Sequence, residues 1–252
     1  MYNKYRNTIK WGDILKTKNQ KKILLIIPAY NEEENILKTC KKIKKENKTL
    51  DFIVINDGSK DRTLDILKNN KLPHINLIHN LGFGGAVQTG YKYALENDYD
   101  IAIQFDGDGQ HDVRYVEKLI QPIINGEADF TIGSRFIEEL STFKSSVARR
   151  IGINIISFFI KIFTGKKIYD TTSGFRAVNK DIIKLFAEHY PIEYPEPVST
   201  TELLKQGKRV KEVSVEMNER EGGISSIRAW KTAYYMFNVV LSIIIVSIRR
   251  YK

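Results

Sequence analysis

The sequence has few of the features that mark secreted, fibrous or disordered proteins. Its 252 residues contain one cysteine, Cys40, and 6 prolines, with no internal repeat and no low-complexity linker. A single cysteine excludes an internal disulfide and fits a reducing compartment. A hydrophobic content of 42% and a charged content of 28% are typical of a folded protein. The length leaves ample chain for a packed core, in one large domain or two small ones.

The sequence also has few long apolar segments, and its acidic residues are fewer than its basic residues. Residues 1–22 form a basic leader without the apolar core of a cleavable signal peptide, so we expect the catalytic part to stay in the cytoplasm. The 16 mostly apolar residues 233–248 fall short of the roughly 20 that a perpendicular membrane span needs. The 40 Lys and Arg exceed the 30 Asp and Glu. This excess fits nucleic acid, an anionic membrane or a phosphorylated substrate, and selects none of them alone.

Short apolar runs that end in polar or small residues alternate with helical patterns in the first half of the chain. The runs predict strands at 23–27, 52–55, 75–78, 101–105 and 130–133. Apolar residues at helical spacing predict a first helix from residue 32. Further helices are predicted over 61–68, after the third strand up to residue 96, and over 113–124. This alternation predicts an α/β fold with a mostly parallel central sheet, whose ligand binds at the carboxyl ends of the strands.

The most informative stretch is an apolar run that ends in Asp106-Gly107-Asp108. Two aspartates separated by one residue on an extended segment point to the same side. Carboxylate oxygens are the ligands that Mg²⁺ and Mn²⁺ prefer. Gln110 and His111 add polar groups at the same strand end. Taken alone, the motif has a second interpretation as an acidic turn between a strand and a helix.

Further motifs stand in a fixed order along the chain. Those of the first half are Pro28-Ala29-Tyr30-Asn31-Glu32, Asn56-Asp57-Gly58-Ser59, Asn80-x-Gly82-x-Gly84-x-Ala86 and Asp106-x-Asp108-x-Gln110-His111. Those of the second half are Gly133-Ser134-Arg135-Phe136, the Asp-Thr-Thr-Ser-Gly-Phe-Arg-Ala of 170–177, and Arg220-x-x-Gly223-x-Ser225. Together they resemble the family 2 glycosyltransferases of the GT-A fold, and within that family the dolichol- and polyprenyl-phosphate sugar synthases.

The resemblance implies a binding site for a nucleoside diphosphate sugar, linked to UDP, GDP or dTDP. Pro28, Tyr30 and Glu32 would hold the base and the ribose, and Asp57 would accept hydrogen bonds from either. Two structural interpretations compete with these roles, because Pro28 could end a strand and Asp57 could cap a helix.

The glycine-rich loop at 82–85 has two interpretations. Gly85 would allow either a close backbone approach to the sugar nucleotide or tight packing of the helix on a strand. A dinucleotide-binding loop is excluded, because Val87 stands where the third glycine is required and the loop follows the third strand rather than the first.

The resemblance also implies a divalent cation, Mg²⁺ or Mn²⁺, beside the donor's diphosphate. Asp106, Asp108 and Gln110 would hold it, and Gly107 would let the backbone approach the donor. His111 would either orient Gln110 or pack in the core. Asp106 and Asp108 are therefore predicted to be catalytic as well as nucleotide-sugar-binding residues.

On the acceptor side, the resemblance implies arginines that bind the phosphate of a polyprenyl lipid. The matching positions are Arg135, Arg149, Arg220 and Ser225, of which Arg135 and Arg220 would be catalytic; Arg150 could replace Arg149. A lipid phosphate already carries an anionic oxygen, so cations that position it are needed more than a general base. The expected reaction is an inverting hexosyl transfer to polyprenyl phosphate at the cytoplasmic face of the membrane.

Two other functions remain open. Transfer to a hydroxyl of a lipid-linked or capsular saccharide would need a carboxylate base, for which Glu193 or Glu196 is the local candidate. A degenerate transferase domain could instead serve as an inactive binding partner of a membrane protein. Nucleic-acid binding is not expected, because the basic residues flank apolar helices rather than aromatic-lined strands.

The expected domain spans residues 23–228 as a single GT-A unit. Residues 149–165, inside it, and 229–252, after it, are predicted to form apolar helices with basic flanks, which fits helices lying in the membrane interface. Both helices could instead simply cover the core. Anchoring would then be peripheral or monotopic, or a separate small membrane protein would supply spans.

Overall fold

The computed structural model describes residues 21–47, 50–107, 109–137, 147–216 and 229–251. Within these residues the strands are β1 Ile23–Ala29, β2 Asp51–Asn56, β3 His74–Asn76, β4 Ile101–Gln104, β5 Phe130–Ser134, β6 Arg176–Asn179 and β7 Val210–Ser214. They form one sheet in the order β3-β2-β1-β4-β6-β5-β7. All neighbours are parallel except β6, which runs antiparallel to β4 and β5.

Helices cover both faces of this sheet. They are α1 Ile36–Glu46, α2 Thr63–Asn69, α3 Gly82–Glu96, α4 Val116–Ile124, α5 Val147–Thr164, α6 Lys180–Glu188, α7 Pro195–Lys205 and α8 Ala229–Ile248, with a 3₁₀ turn Val113–Tyr115 before α4. None of the helices within the described residues has both the length and the apolar character that crossing a membrane requires.

The sequence of β1 explains why it lies in the centre of the sheet. Its residues are apolar without alternation, as expected of a strand covered on both faces. Leu25 packs with Cys40 of α1 on one face, whereas Leu24 and Ile26 belong to the core on the other face with Tyr91 of α3. Side chains of a strand alternate between its faces, so β1 joins both cores.

The predicted α/β architecture and mostly parallel sheet are confirmed, with two kinds of difference. The third strand ends at Asn76, because the chain bends away and leaves Ile78 88% exposed. The first helix begins at Ile36, after a turn that follows Glu32. The sequence had given no assignment for β6, α6, α7 and β7, and β6 occupies the place between β4 and β5.

Candidate functional site

A cleft of about 480 Å³ opens at the carboxyl ends of β1, β2 and β4. Part of its lining consists of residues that the sequence assigns to the donor site: Pro28, Tyr30, Glu32, Asp57, Asp106 and Gly107. They come from three strand ends that are distant in sequence and adjacent in the sheet. The parallel order of β2, β1 and β4 therefore produces this gathering of polar groups.

Hydrogen bonds join the loop after β1 to the loop after β2. Asn31 donates its N–H to Ser59 Oγ at 3.0 Å, and Glu32 donates its N–H to Thr63 Oγ1 at 2.9 Å. Thr63 Oγ1 in turn donates to Asp61 at 2.5 Å. Burial alone would raise the pKa of Asp61, and its hydrogen bonds with Thr63 and with backbone N–H groups outweigh that effect, so this pKa lies below its ordinary value.

Asp57 ties the end of β2 to the start of α3. It is 3% exposed, and its Oδ1 accepts the Leu81 N–H at 2.7 Å. Burial raises the pKa of Asp57, and hydrogen bonds from the N–H groups of Leu81 and Gly82 oppose this rise. Leu81 is the N-cap residue of α3, so Asp57 supplies from another loop the acceptor that a capping side chain provides. A role in fixing the cleft wall is thus established beside its predicted contact with the nucleotide.

The start of α3 contributes lining residues that the sequence motifs do not assign to the site. Phe83 and Ala86, three positions apart on one helix face, both line the cleft. Gly85 is not part of the lining, and a Cβ on it would lie 2.6 Å from the Cβ of Leu81. This contact lies within the first turn of α3 and involves no strand, so both predicted explanations for Gly85 stay predictions.

His111 holds Asp106 through two atoms of its ring. Nδ1 accepts the Asp106 N–H at 2.9 Å, and Nε2 lies 3.3 Å from Asp106 Oδ2. A neutral ring that accepts at Nδ1 carries its proton on Nε2 and directs it at the carboxylate. The ring also stacks on Phe175 with centroids 4.9 Å apart. Of the two roles predicted for His111, packing is observed, and the contact with Asp106 is an addition.

One oxygen donor at this end of the cleft is of the kind that a hard divalent cation prefers. Asp106 supplies a carboxylate at the cleft surface, and the half-buried Gln110 follows shortly after it. Asp108 lies outside the described residues. No cluster of three or more His, Cys, Asp or Glu side chains within the described parts of the chain could hold a metal. A carboxylate such as that of Asp106 suits Mg²⁺ or Mn²⁺ when phosphate oxygens and water complete the coordination.

A buried polar cluster lies next to Asp106. A Cβ added to Gly174 would lie 3.1 Å from both Asp106 carboxylate oxygens and 3.2 Å from Gln104 Nε2. Gln104 is fully buried and its Oε1 accepts the Tyr190 hydroxyl at 3.2 Å, while its Nε2 has no hydrogen-bond partner among the described residues. The absent side chain of Gly174 thus leaves space in front of two polar groups.

Glu196 of α7 belongs to the same neighbourhood. Its backbone carbonyl accepts from Arg176 Nη1 at 2.8 Å. Burial raises the pKa of the Glu196 carboxyl, the Arg176 charge lowers it, and the Asp106 charge raises it further, with a net rise. Glu193, the other candidate base, is exposed.

The structure describes the acceptor-side residues only in part. Arg135 is 5% exposed, and its Nε and Nη2 bind the Asp170 carboxylate at 2.7 and 2.8 Å. The guanidinium groups of Arg135 and of the exposed Arg150 both lie over the ring of Phe136, at 5.2 and 4.6 Å from its centroid. The side chain of Arg149, and all of Arg220 and Ser225, lie outside the described residues. The predicted phosphate-binding roles therefore stay predictions.

This sheet, with a polar cleft at the carboxyl ends of its parallel strands, has the fold of GT-A glycosyltransferase structures. The fold matches glucosyl-3-phosphoglycerate synthase from Mycobacterium tuberculosis in complex with Mn²⁺, UDP-glucose and phosphoglyceric acid, with a TM-score of 0.73. The match covers 98% of this chain and 87% of that one at 15% identity.

Sequence comparison supports the same class. The UDP-N-acetylglucosamine–dolichyl-phosphate N-acetylglucosaminyltransferase of Methanococcus voltae is 38% identical over 186 residues, covering 67% of this chain and 73% of that protein. The undecaprenyl-phosphate mannosyltransferase of Micrococcus luteus is 28% identical over 217 residues, covering 82% and 87%. Residues 24–186 match the glycosyl transferase family 2 profile. The chain belongs to glycosyl transferase family 2.

Proposed function

We propose that this glycosyltransferase moves a hexose from a nucleoside diphosphate sugar to a polyprenyl phosphate at the cytoplasmic face of the membrane, with inversion at C1 and with Mg²⁺ or Mn²⁺. The observation that carries the proposal is the cleft that gathers Pro28, Glu32 and Asp57 with Asp106. The names of two relatives, which act on dolichyl and undecaprenyl phosphate, support the choice of acceptor.

The donor's nucleotide would occupy the side of the cleft formed by the ends of β1 and β2. Tyr30 offers a half-exposed ring for stacking on the base, and Glu32 and Asp57 offer carboxylates that accept hydrogen bonds. Asp106, with Asp108 and Gln110, would hold the cation beside the diphosphate. When bound, that cation supplies positive charge where the leaving group becomes more negative.

The chemical step would be a single displacement. An oxygen of the lipid phosphate attacks C1 of the hexose, a C1–O bond to that phosphate forms, and the C1–O bond to the diphosphate breaks. Both leaving and attacking groups are anionic, so no proton has to be removed. The exposed Arg150, beside Arg135 and Phe136, and Arg220 would orient the lipid phosphate.

Two exposed apolar stripes support binding to a membrane surface. Helices α5 and α8 pack on each other, and each exposes large apolar side chains every three or four residues. The stripe of α5 consists of Ile151, Ile155, Phe158 and Ile162. The stripe of α8 consists of Tyr234, Phe237, Leu241, Ile245 and Ile248. Exposed Arg150, Lys166, Arg249 and Arg250 stand at helix ends, as expected of helices that lie in an anionic interface.

The position of Glu196 favours a second candidate, transfer to a sugar hydroxyl. This reaction needs a base, and a carboxyl whose pKa is raised beside Asp106 is suited to accept a proton. Incubating membranes with labelled nucleotide sugars separates the two acceptors. A product that is lipid-extractable, acid-labile and independent of a saccharide primer supports polyprenyl phosphate, and a strict need for a primer supports the hydroxyl.

The donor is tested directly by thermal shift with Mn²⁺ and UDP-glucose, UDP-N-acetylglucosamine, GDP-mannose or dTDP-rhamnose. A donor at a hundred times its dissociation constant stabilises the folded protein by about 2.7 kcal/mol. Asp108→Asn is expected to abolish turnover with an unchanged circular dichroism spectrum, and near-normal activity of this variant contradicts the cation assignment. Absence of binding and of turnover with all four donors would support an inactive binding partner instead.

A further inference from the structure

The hydroxyl of Thr39 contacts the backbone of the candidate cation site. Thr39 lies on α1, is 6% exposed, and donates through Oγ1 to the carbonyl oxygen of Gly107 at 2.9 Å, across 68 positions of sequence. Hydroxyl groups in helices commonly donate to the carbonyl four residues earlier. In this chain the residues that do so include Thr89, Thr164, Thr200, Thr201 and Ser247. The hydroxyl of Thr39 instead reaches the loop that follows β4.

The Gly107 carbonyl belongs to the peptide bond that joins Gly107 to Asp108, so in the sequence it lies between the two residues assigned to the cation. The orientation of this peptide sets the direction in which the chain leaves Gly107. Gly107 is also closely packed, because a Cβ added to it would lie 3.3 Å from the carbonyl oxygen of Pro28. The Thr39 hydroxyl is thus a buried donor that fixes the orientation of this peptide.

The first turn of helix α1, which carries Thr39, is also held by the nucleotide side of the cleft. The Glu32 carbonyl accepts the Ile36 N–H at 2.9 Å, and the Glu32 N–H donates to Thr63 Oγ1 at 2.9 Å. Thr39 stands one turn after Ile36 on the same helix. The first turn of α1 therefore connects the loop of Glu32, which lines the cleft, to the Gly107 carbonyl next to Asp106.

We propose that Thr39 is a positioning residue of the cation site, which acts through the Gly107 carbonyl and touches neither the cation nor the donor. The inference rests on the proposed function, in which Asp106 and Asp108 hold the cation. Losing the hydroxyl leaves a buried carbonyl without its donor and frees the peptide to rotate. Cation affinity should then fall while the overall fold persists.

The test compares Thr39→Val with the unaltered protein. Free Mn²⁺ is measured by electron paramagnetic resonance, with Mn²⁺ alone and with UDP, GDP or dTDP. Thr39→Val, which keeps the shape and loses the hydroxyl, is expected to bind Mn²⁺ about tenfold more weakly or worse. Thr39→Ser keeps the hydroxyl and should bind Mn²⁺ within about twofold of the unaltered protein.

Thr131→Val is the matched control. Thr131 of β5 is fully buried, and its Oγ1 donates to the Leu119 carbonyl at 2.8 Å, away from the cleft. This substitution also removes a buried hydroxyl from a carbonyl. It is expected to lower the melting temperature comparably to Thr39→Val and to leave Mn²⁺ affinity unchanged.

The outcomes distinguish a failure of the Thr39 inference from a failure of the proposed function. Equal Mn²⁺ affinity of Thr39→Val and Thr131→Val overturns the inference and leaves the proposed function standing. If Thr39→Val does not fold, Thr39→Ser and Thr39→Ala decide, since they differ in the hydroxyl alone, and equal affinities of this pair also overturn the inference. An unaltered protein that binds no Mn²⁺ with any of the three nucleotides overturns the cation site itself.

Discussion

Arg135 and Asp170 form a buried bidentate ion pair, with Nε 2.7 Å from Oδ2 and Nη2 2.8 Å from Oδ1. The Asp170 N–H in turn donates to Glu212 at 2.8 Å, so the pair also reaches β7. An arginine that the sequence assigns to the acceptor phosphate is thus already engaged by a carboxylate. Its contribution to acceptor binding can be separated experimentally from its contribution to stability.

Asp170→Asn should lower the free energy of unfolding by about 3–5 kcal/mol, because it leaves the Arg135 charge buried without its counter-ion. Urea denaturation followed by circular dichroism measures this loss. Glu127→Gln is the control, since it breaks the Lys211–Glu127 pair, which has the same kind of contact at 2.6 Å on the exposed surface. Similar losses of unfolding free energy in the two variants would contradict a larger contribution of the buried pair to stability.

Arg150→Ala should raise the KM for polyprenyl phosphate by about tenfold and leave the KM for the nucleotide sugar unchanged, because one charge-assisted contact to the phosphate is lost. Steady-state kinetics with each substrate varied in turn measures both constants. Lys205→Ala removes an exposed positive charge from α7 and controls for net charge. An equal rise of both KM values in Arg150→Ala would place Arg150 outside the acceptor site.

His111→Phe should keep the aromatic packing on Phe175 and lose both ring contacts to Asp106. We expect turnover to fall about tenfold or more, and the Mn²⁺ concentration for half-maximal rate to rise, because groups behind a metal ligand commonly matter by that much. His189→Phe, at an exposed position, is the control. A variant with lower turnover and an unchanged Mn²⁺ requirement would assign His111 a packing role alone.

Glu196 should make stability depend on pH in a defined direction. Below its ordinary value of 4.5 the carboxyl is protonated in both states, whereas burial raises its pKa in the folded protein. As the pH rises above 4.5, the unfolded state ionises first, so the folded state loses stability until its own pKa is reached. Glu196→Gln is expected to flatten this decline of the unfolding free energy above pH 4.5, as measured by urea denaturation at a series of pH values.

The exposed Glu193 provides the comparison, because Glu193→Gln removes the same charge three residues earlier. Activity measurements on the two variants also test the second candidate function. Loss of turnover in Glu196→Gln with a saccharide acceptor would support a base, while retained transfer to polyprenyl phosphate agrees with a reaction that needs none.

Phe158→Ser combined with Phe237→Ser should weaken binding to anionic lipid vesicles by about tenfold or more, since both apolar stripes lose a large side chain. Vesicle co-sedimentation at low and high salt measures the affinity. Ile78→Ser, which removes an even more exposed apolar side chain at the β3 edge of the sheet, is the control. Equal vesicle binding by the stripe variant and the control would exclude this surface.

Apolar runs followed by polar residues correctly predicted the central strands of the sheet. The apolar run of β1 and the polar residues that follow it identify a central strand and its ligand-facing end, and the same holds for β4 and Asp106. The pairing of β6 with β4 could not be predicted, because its four residues Arg176–Asn179 carry no periodicity and begin with a buried arginine.

The contacts within the site could not be predicted either, because they join residues that are far apart in the sequence. Arg135 meets Asp170 across 35 positions, and Thr39 meets Gly107 across 68. Sequence spacing says nothing about pairs that meet only after the sheet has assembled. It identifies residue types suited to the chemistry, such as Asp57 and Asp106, and leaves open which of them also hold loops in place.

The place of β6 in the sheet has a consequence for the order in which the protein can fold during synthesis. Strand β5 has hydrogen-bonding neighbours only in β6 and β7, both of which follow it in the chain. The first four strands can pair as soon as they are made, whereas β5 must wait, and the edge of β4 stays open until β6 arrives. A chain that ends before residue 176 therefore lacks the neighbour of β4 and exposes an unpaired strand edge, which is a template for aggregation.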